Sequence, residues 1–293
     1  MIERLHLIDG TYELYRAHYA PRPGHTAKDG SDAKATVGLA ASLLALINDA
    51  EEAVTHVAVA FDNPIRSFRN DLFDAYKGDE GVPPALRAQF DPVEDAVRAL
   101  GITVWSMREF EADDALATGA ARFGGEVRQV RIMTPDKDLG QCVRGDRVVQ
   151  VDRRQEKVTD EAAFRARRGF GPESMADFLA LTGDSADGIP GLRGFGEKAA
   201  GALLGAYTHL EAIPERAADW SIALRGADRL AQTLREQRDD AILYRMLATL
   251  RCDVPLCESL GDLAFRGVPR APFLAWCEAL GVTTLQSMPK RWA

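Results

Sequence analysis

Three features of the 293-residue chain predict an α/β fold. Short apolar runs alternate with helical patterns, an aspartate closes each run, and beyond Val158 the composition turns helical. Strands alternating with helices imply a parallel sheet flanked by helices. Residues 1–170 read as the α/β domain and residues 171–293 as a helical region.

Leu5–Ile8 is a short apolar strand that stops at Asp9-Gly10, with a helix from Tyr12 to about Tyr19. A polar loop, Pro21–Ser31, precedes a helical pattern over Val37–Ile47. The run HVAVAF, His56–Phe61, is a buried-type strand stopped by Asp62, and a third strand around Val130–Met133 is followed by Asp136 and Asp138. Between them, Phe110–Leu116 opens a helix reaching about Phe123. Further helices begin at Thr159-Asp160 and span Pro172–Leu181. One or two amphipathic helices cover Ala227–Leu250, and the last covers Pro272–Leu280.

Hydrophobic residues make up 46% of the chain, enough for a sizeable core, and no apolar run approaches the roughly 20 residues that span a bilayer. MIERLHLIDG is too short and too acidic for a signal peptide and reads as a strand beginning at once. Cys142, Cys252, Cys257 and Cys277 lack CxxC spacing, which fits reduced thiols in a cytoplasmic protein. The net charge of −8 argues against an indiscriminate polyanion binder. It is compatible with a nucleic-acid enzyme whose carboxylates hold divalent metals. Between Arg144 and Arg168 eight basic residues face five acidic ones, a bias that a solvated surface explains as well as DNA contact does.

Ligands of open α/β sheets bind at the carboxyl ends of the strands. Asp9, Asp62, Asp136 and Asp138 all follow such ends. Any one of them could simply cap the next helix, but the pattern recurs at three strands. Glu111, Asp113 and Asp114 open one helix. Capping rarely needs three carboxylates in four residues, so metal ligation is favoured over the dipole explanation. The organising stretch is Leu181–Ala200, LTGDSADGIPGLRGFGEKAA. Asp184 and Asp187 lie three apart in a Gly-rich loop, and the helix behind them offers main-chain N–H groups to a phosphate.

The ordered set of LIDG at Asp9, AFDNPIRSFRNDLFDAYKG (Ala60–Gly78), EFEADDAL, TPDKDL and LTGDSADGIPGLRGFGEKAA resembles the 5′-nuclease family. That family includes the 5′→3′ exonuclease domain of bacterial DNA polymerase I, phage 5′-exonucleases and flap endonucleases. The resemblance spans Leu7 to about Leu204. It implies a PIN-like parallel sheet with a C-terminal helical region containing a helix–three-turn–helix. It also implies two divalent metals, Mg²⁺ or Mn²⁺, which in such sites lie roughly 3.5–4 Å apart and clamp the scissile phosphate. By matching position the ligands, direct or through water, are Asp9, Asp62, Glu111, Asp113, Asp114, Asp136, Asp138, Asp184 and Asp187. Such hard ions prefer oxygen donors, which suits an all-carboxylate set.

Lys77 matches a family lysine that stabilises charge on the phosphate, Tyr76 an aromatic that stacks on a terminal base, and Arg69 a basic residue of the same region. An arch of about residues 77–89 would gate the free 5′ end. Glu80 stands where polymerase I-type members place an arginine, leaving Arg87 as the guanidinium offered in its stead. Ser185–Gly188 replaces the usual SSDN while keeping both aspartates. In the helix–three-turn–helix, Arg193, Gly194, Gly196 and Lys198 hold the duplex backbone, with a K⁺ ion at the turn. These contacts position without reading sequence.

The resemblance therefore implies a structure-specific 5′-nuclease of replication and repair. Its substrates would be DNA with 5′ ends, flaps, nicks or gaps, and RNA primers paired to DNA. It would act as a monomer in the cytoplasm at the nucleoid, with no membrane partner. The chain ends where a polymerase I would continue and so reads as a stand-alone nuclease. A branched-DNA-binding module without cleavage is disfavoured by the retained carboxylates. An RNase of the related carboxylate-nuclease fold is disfavoured by the helix–three-turn–helix.

Overall fold

The computed structural model describes residues 3–293. The expectation of a strand beginning at once falls partly on Met1 and Ile2, outside the described residues; β1 is defined from Arg4. The first elements are β1 (Arg4–Asp9), α1 (Gly10–Tyr19), α2 (Lys34–Ile47), β2 (His56–Asp62), α3 (Arg69–Leu72), α4 (Pro84–Arg87), α5 (Phe90–Ala99), β3 (Thr103–Met107), α6 (Ala112–Phe123) and β4 (Gln129–Met133). There follow β5 (Val148–Asp152), β6 (Lys157–Thr159), α7 (Glu161–Arg168), α8 (Met175–Thr182), α9 (Glu197–Tyr207), α10 (Ala227–Glu236), α11 (Arg238–Ala248) and α12 (Arg270–Leu280). Among the described residues, no helix is long and apolar enough to cross a membrane.

The chain forms two compact units, each drawn from separate stretches of sequence: Met1–Arg66, Asp79–Thr134 and Cys252–Ala293 in the first, Ser67–Gly78 and Pro135–Arg251 in the second.

In the first unit β3, β2, β1 and β4 lie side by side and parallel. Leu7 is paired with Ala58 on one side and Ile132 on the other. Leu5, Leu7, Ile8, Val59, Val130 and Ile132 are essentially inaccessible, as expected for strands covered on both faces. Helix α6 packs against all four strands, while α2 packs on both α1 and α5. Burial of each such Leu or Ile contributes about 1.5–3 kcal/mol. The register sets Asp9 opposite Ala60, so Asp9 and Asp62 leave neighbouring strands at the same sheet edge.

The second unit carries the antiparallel hairpin β5–β6 and a helical core. Phe170 stacks on Phe178 at 5.0 Å, and Phe164 meets Phe170 edge-on at 6.0 Å. Leu179, Ala200, Leu203 and Ala241 complete a cluster in which α8 packs on both α9 and α11. The stretch Ala227–Leu250 resolves into two helices, separated at Gln237.

Candidate active site

Two groups of carboxylates form, one in each unit. In the first, Asp9 ends β1 and caps α1: Oδ1 accepts from the Tyr12 N–H at 2.8 Å and Oδ2 from the Thr134 hydroxyl at 2.9 Å. Asp62 ends β2 and accepts from the Ala112 N–H at 2.7 Å, holding the start of α6 to the strand. Glu111 and Asp114 make a reciprocal capping box, with the Glu111 N–H donating to Asp114 Oδ2 at 3.0 Å. Both are buried, while Asp113 is partly exposed. Capping is therefore real at Glu111 and Asp114. It fixes these carboxylates with one oxygen each engaged by the main chain.

In the second unit Asp136 caps the 3₁₀ turn Lys137–Cys142 by accepting from the Asp138 N–H at 2.9 Å. Gln150 donates to the Asp136 carbonyl, tying this turn to β5. The loop after α8 is built by glycine. Asp184 and Ile189 exchange two main-chain hydrogen bonds of 2.8 Å, closing a tight turn over Ser185–Gly188. Gly188 has φ +75°, and a Cβ there would stand 2.1 Å from the Ala75 carbonyl oxygen. Gly191, at φ +71°, would put one 2.4 Å from the Gly183 nitrogen. Only glycine lets these segments approach so closely.

The turn delivers Asp184 and Asp187 to Asp138. Ligand oxygens of these three residues lie within 4.8 Å of one another. Asp184 Oδ2 is 2.7 Å from Lys137 Nζ, and Asp187 Oδ1 is 3.0 Å from Lys77 Nζ. Asp138 is 5% exposed and its Oδ1 has no hydrogen-bond partner. Burial pushes its carboxyl well above the usual carboxylate range, and the charges of Asp136, Asp187 and Asp184 push it further. Partial burial pulls the Lys137 ammonium down, but its hydrogen bond to Asp184 prevails and leaves it raised. Such a trio costs free energy without a cation, and three converging carboxylate oxygens suit a hard divalent ion.

The residues expected to contact DNA divide. Arg193, Gly194, Gly196 and Lys198 are exposed, and Gly196 sits at the N-cap of α9 with no side chain to occupy the helix's first N–H groups. Arg69 and Tyr76, by contrast, are buried. Arg69 is 1% exposed, donates to the carbonyls of Leu247 (2.7 Å) and Thr249 (3.0 Å), and stacks on Phe68. Tyr76 is 5% exposed and belongs to the helical core. Both side chains are packed within the second unit. Arg87 pairs with Asp79 at 2.6 Å and lies over Phe90. Within 79–89, Leu86 and Gln89 are buried, and Gln89 Oε1 accepts from the N–H groups of Ala35 and Thr36.

Sequence reasoning missed Lys137 and Asn70. Asn70 Nδ2 donates to the carbonyls of Tyr76 (3.2 Å) and Lys77 (2.8 Å), fixing the backbone from which Lys77 projects. The signal for Lys137 was its place between two aspartates. Nothing in the sequence marked Asn70.

Residues 4–169 match the family described as 5′–3′ exonuclease, N-terminal resolvase-like domain, and residues 170–271 match 5′–3′ exonuclease, C-terminal SAM fold. The chain is 36% identical over 287 residues to DNA polymerase I of Bacillus caldotenax, covering 96% of this chain and 32% of that protein. It is 34% identical over 289 residues to DNA polymerase I of Rhizobium leguminosarum, covering 97% and 28%. The chain thus spans about a third of the length of these relatives. Among solved structures, a T5 5′-exonuclease with bound divalent zinc ions superposes with TM-score 0.65 at 18% identity, covering 85% of this chain and 90% of that one. The catalytic core of Rad2 in complex with DNA substrate gives 0.63 at 11%, covering 98% and 90%. These likenesses show the fold: a PIN-like α/β architecture with a C-terminal helical part.

Proposed function

Because the chain belongs to the 5′–3′ exonuclease family, we propose that it is a structure-specific, divalent-metal-dependent 5′-nuclease that hydrolyses DNA phosphodiesters. The observation that carries this reading is the Asp138–Asp184–Asp187 trio, three convergent carboxylates with one buried oxygen left without a hydrogen bond. These three would hold one ion; Asp9, Asp62, Glu111, Asp113 and Asp114, gathered in the first unit, would serve as ligands, direct or through water, for a second ion, as a two-metal hydrolysis needs. Bound divalent ions supply Lewis acidity and lower the pKa of water toward neutrality. Mg²⁺ and Mn²⁺ both fit an all-oxygen set.

The chain's own groups do the rest. Lys77 presents an ammonium for the phosphate oxygens, where negative charge grows during attack. The main-chain amides of Gly194 and Gly196, with Arg193 and Lys198, hold the duplex backbone without reading bases. A K⁺ ion at that turn would reinforce the grip. The substrates are DNA with 5′ ends, flaps, nicks or gaps, and RNA primers on DNA. The enzyme acts as a monomer in the cytoplasm, at the nucleoid.

End-labelled flap, nicked and single-stranded substrates test this, each with Mg²⁺, Mn²⁺ or chelator. Metal-dependent products bearing 5′-phosphate, absent with Asp138→Asn, are expected. Binding of branched DNA without cleavage under any metal would favour a non-cleaving module.

A further inference from the structure

We propose that Lys137 is a positioning residue that acts as a resident counter-ion of the carboxylate trio, holding Asp184 in the metal-free enzyme and yielding it when a divalent cation binds. The inference rests on the metal reading of Asp138, Asp184 and Asp187.

The two oxygens of Asp184 have different tasks. Oδ1 accepts from the Ala186 N–H at 3.0 Å and is committed to the loop. Oδ2 carries no main-chain bond of this kind and is the freer oxygen for a metal, and Lys137 Nζ stands 2.7 Å from it. The Lys137 side chain is 40% exposed while that of Asp184 is 7% exposed. The ammonium thus has a path into water on a flexible four-carbon stem, whereas the carboxylate stays put. The turn fixes the geometry from behind: Asp136 holds the Asp138 N–H, so residues 136–138 are anchored on both sides of Lys137.

Three carboxylates that converge within 4.8 Å repel one another. With Lys77 on Asp187 and Lys137 on Asp184, two of the three are compensated in the absence of metal. A divalent ion that coordinates Asp184 Oδ2 competes with the Lys137 ammonium for that oxygen. Lys137 therefore stabilises the metal-free site and weakens its affinity for metal.

The test is Mn²⁺ titration of the full chain without DNA, by calorimetry and electron paramagnetic resonance, together with thermal melting in chelator. Asp138→Asn assigns binding to the trio. Lys137→Met should bind Mn²⁺ about tenfold tighter, since a full charge within 4–6 Å commonly shifts a charged equilibrium by at least that factor. It should also melt at lower temperature in chelator and recover in saturating Mn²⁺. Lys137→Arg, which keeps the charge, should retain wild-type affinity. Equal or weaker Mn²⁺ binding by Lys137→Met overturns the proposal, as does failure to recover in Mn²⁺ or an Arg variant that behaves like Met. If the unmodified chain shows no Mn²⁺ binding that Asp138→Asn removes, the metal reading fails and this inference with it.

Discussion

Lys77 grips Asp187 twice: its backbone N–H donates to the Asp187 carbonyl at 3.0 Å, and its Nζ lies 3.0 Å from Asp187 Oδ1. The main-chain bond survives any substitution at 77 other than proline, so side-chain changes isolate the ammonium. Lys77→Ala should lower the single-turnover cleavage rate by about 10²–10³ with little change in DNA affinity, because its charge is needed where negative charge develops. Rapid-quench kinetics at saturating enzyme read the rate, and anisotropy reads the affinity. A change in affinity alone would make Lys77 an ordinary backbone contact.

Gly188→Ala should disturb the Asp138–Asp184–Asp187 trio without altering any of its carboxylates. Its φ of +75° disfavours any Cβ, and the added carbon would meet the Ala75 carbonyl at 2.1 Å. The turn or the Ala75–Lys77 segment must move. A cost of about 1–3 kcal/mol is expected for such backbone strain. Melting curves should show the loss, and the Mn²⁺-induced rise in melting temperature should shrink because Asp187 is displaced. An unchanged Mn²⁺ response would mean that the turn tolerates the methyl group by moving elsewhere.

Most of this architecture was legible where side chains are read locally. LHLI and HVAVAF announce buried parallel strands, and the glycines of 183–196 announce a close backbone approach. β3 escaped because TVWSM is a short strand of mixed polarity in which Trp105 alone is buried. The hairpin β5–β6 escaped because a three-residue strand, Lys157–Thr159, carries no measurable alternation. The burial of Arg69 and Tyr76 was not legible for a related reason. Their partners, Leu247, Thr249 and the helical core, lie far away in sequence, and only tertiary packing decides whether a polar side chain points inward. Glu111 and Asp114 show the opposite case, in which the capping explanation weighed against ligation is present in the structure and constrains the same carboxylates.

Acid should unfold the first unit partly through Glu52. Burial raises its carboxyl, but hydrogen bonds from His6 (2.9 Å) and Arg131 (3.0 Å) outweigh this and bring it down to about 2. A folded pKa below the unfolded one gives stability that is present above about 4.5 and lost as pH falls toward 2. His6, which burial pushes down, adds to the loss in acid because the unfolded chain binds its proton more readily. With solvent screening of a half-buried pair, about 1–2 kcal/mol is expected at neutral pH. The melting temperature should therefore drop more steeply as pH falls from 4.5 to about 2 in the unmodified chain than in Glu52→Gln. Parallel curves would remove Glu52 from the account.

Lys198 tests the duplex grip separately from the chemistry. It is exposed in the first turn of α9, two residues after Gly196 at the N-cap, in the turn that carries the helix's first N–H groups and within reach of a phosphate bound there. A phosphate there would be held by both. Lys198→Ala should weaken binding to nicked duplex while leaving the single-turnover rate at saturating enzyme nearly unchanged. Loss of one phosphate contact changes the slope of log affinity against log salt by about 0.9 for B-DNA. The mutant should accordingly show a shallower slope by about one unit, equally for unrelated sequences, since backbone contacts carry no base information. On a short single strand, with no duplex to hold, the two proteins should behave alike. An unchanged slope on nicked duplex would mean that the N-terminus of α9 does not face DNA, and the exposed Arg193 and Lys198 would then need another partner.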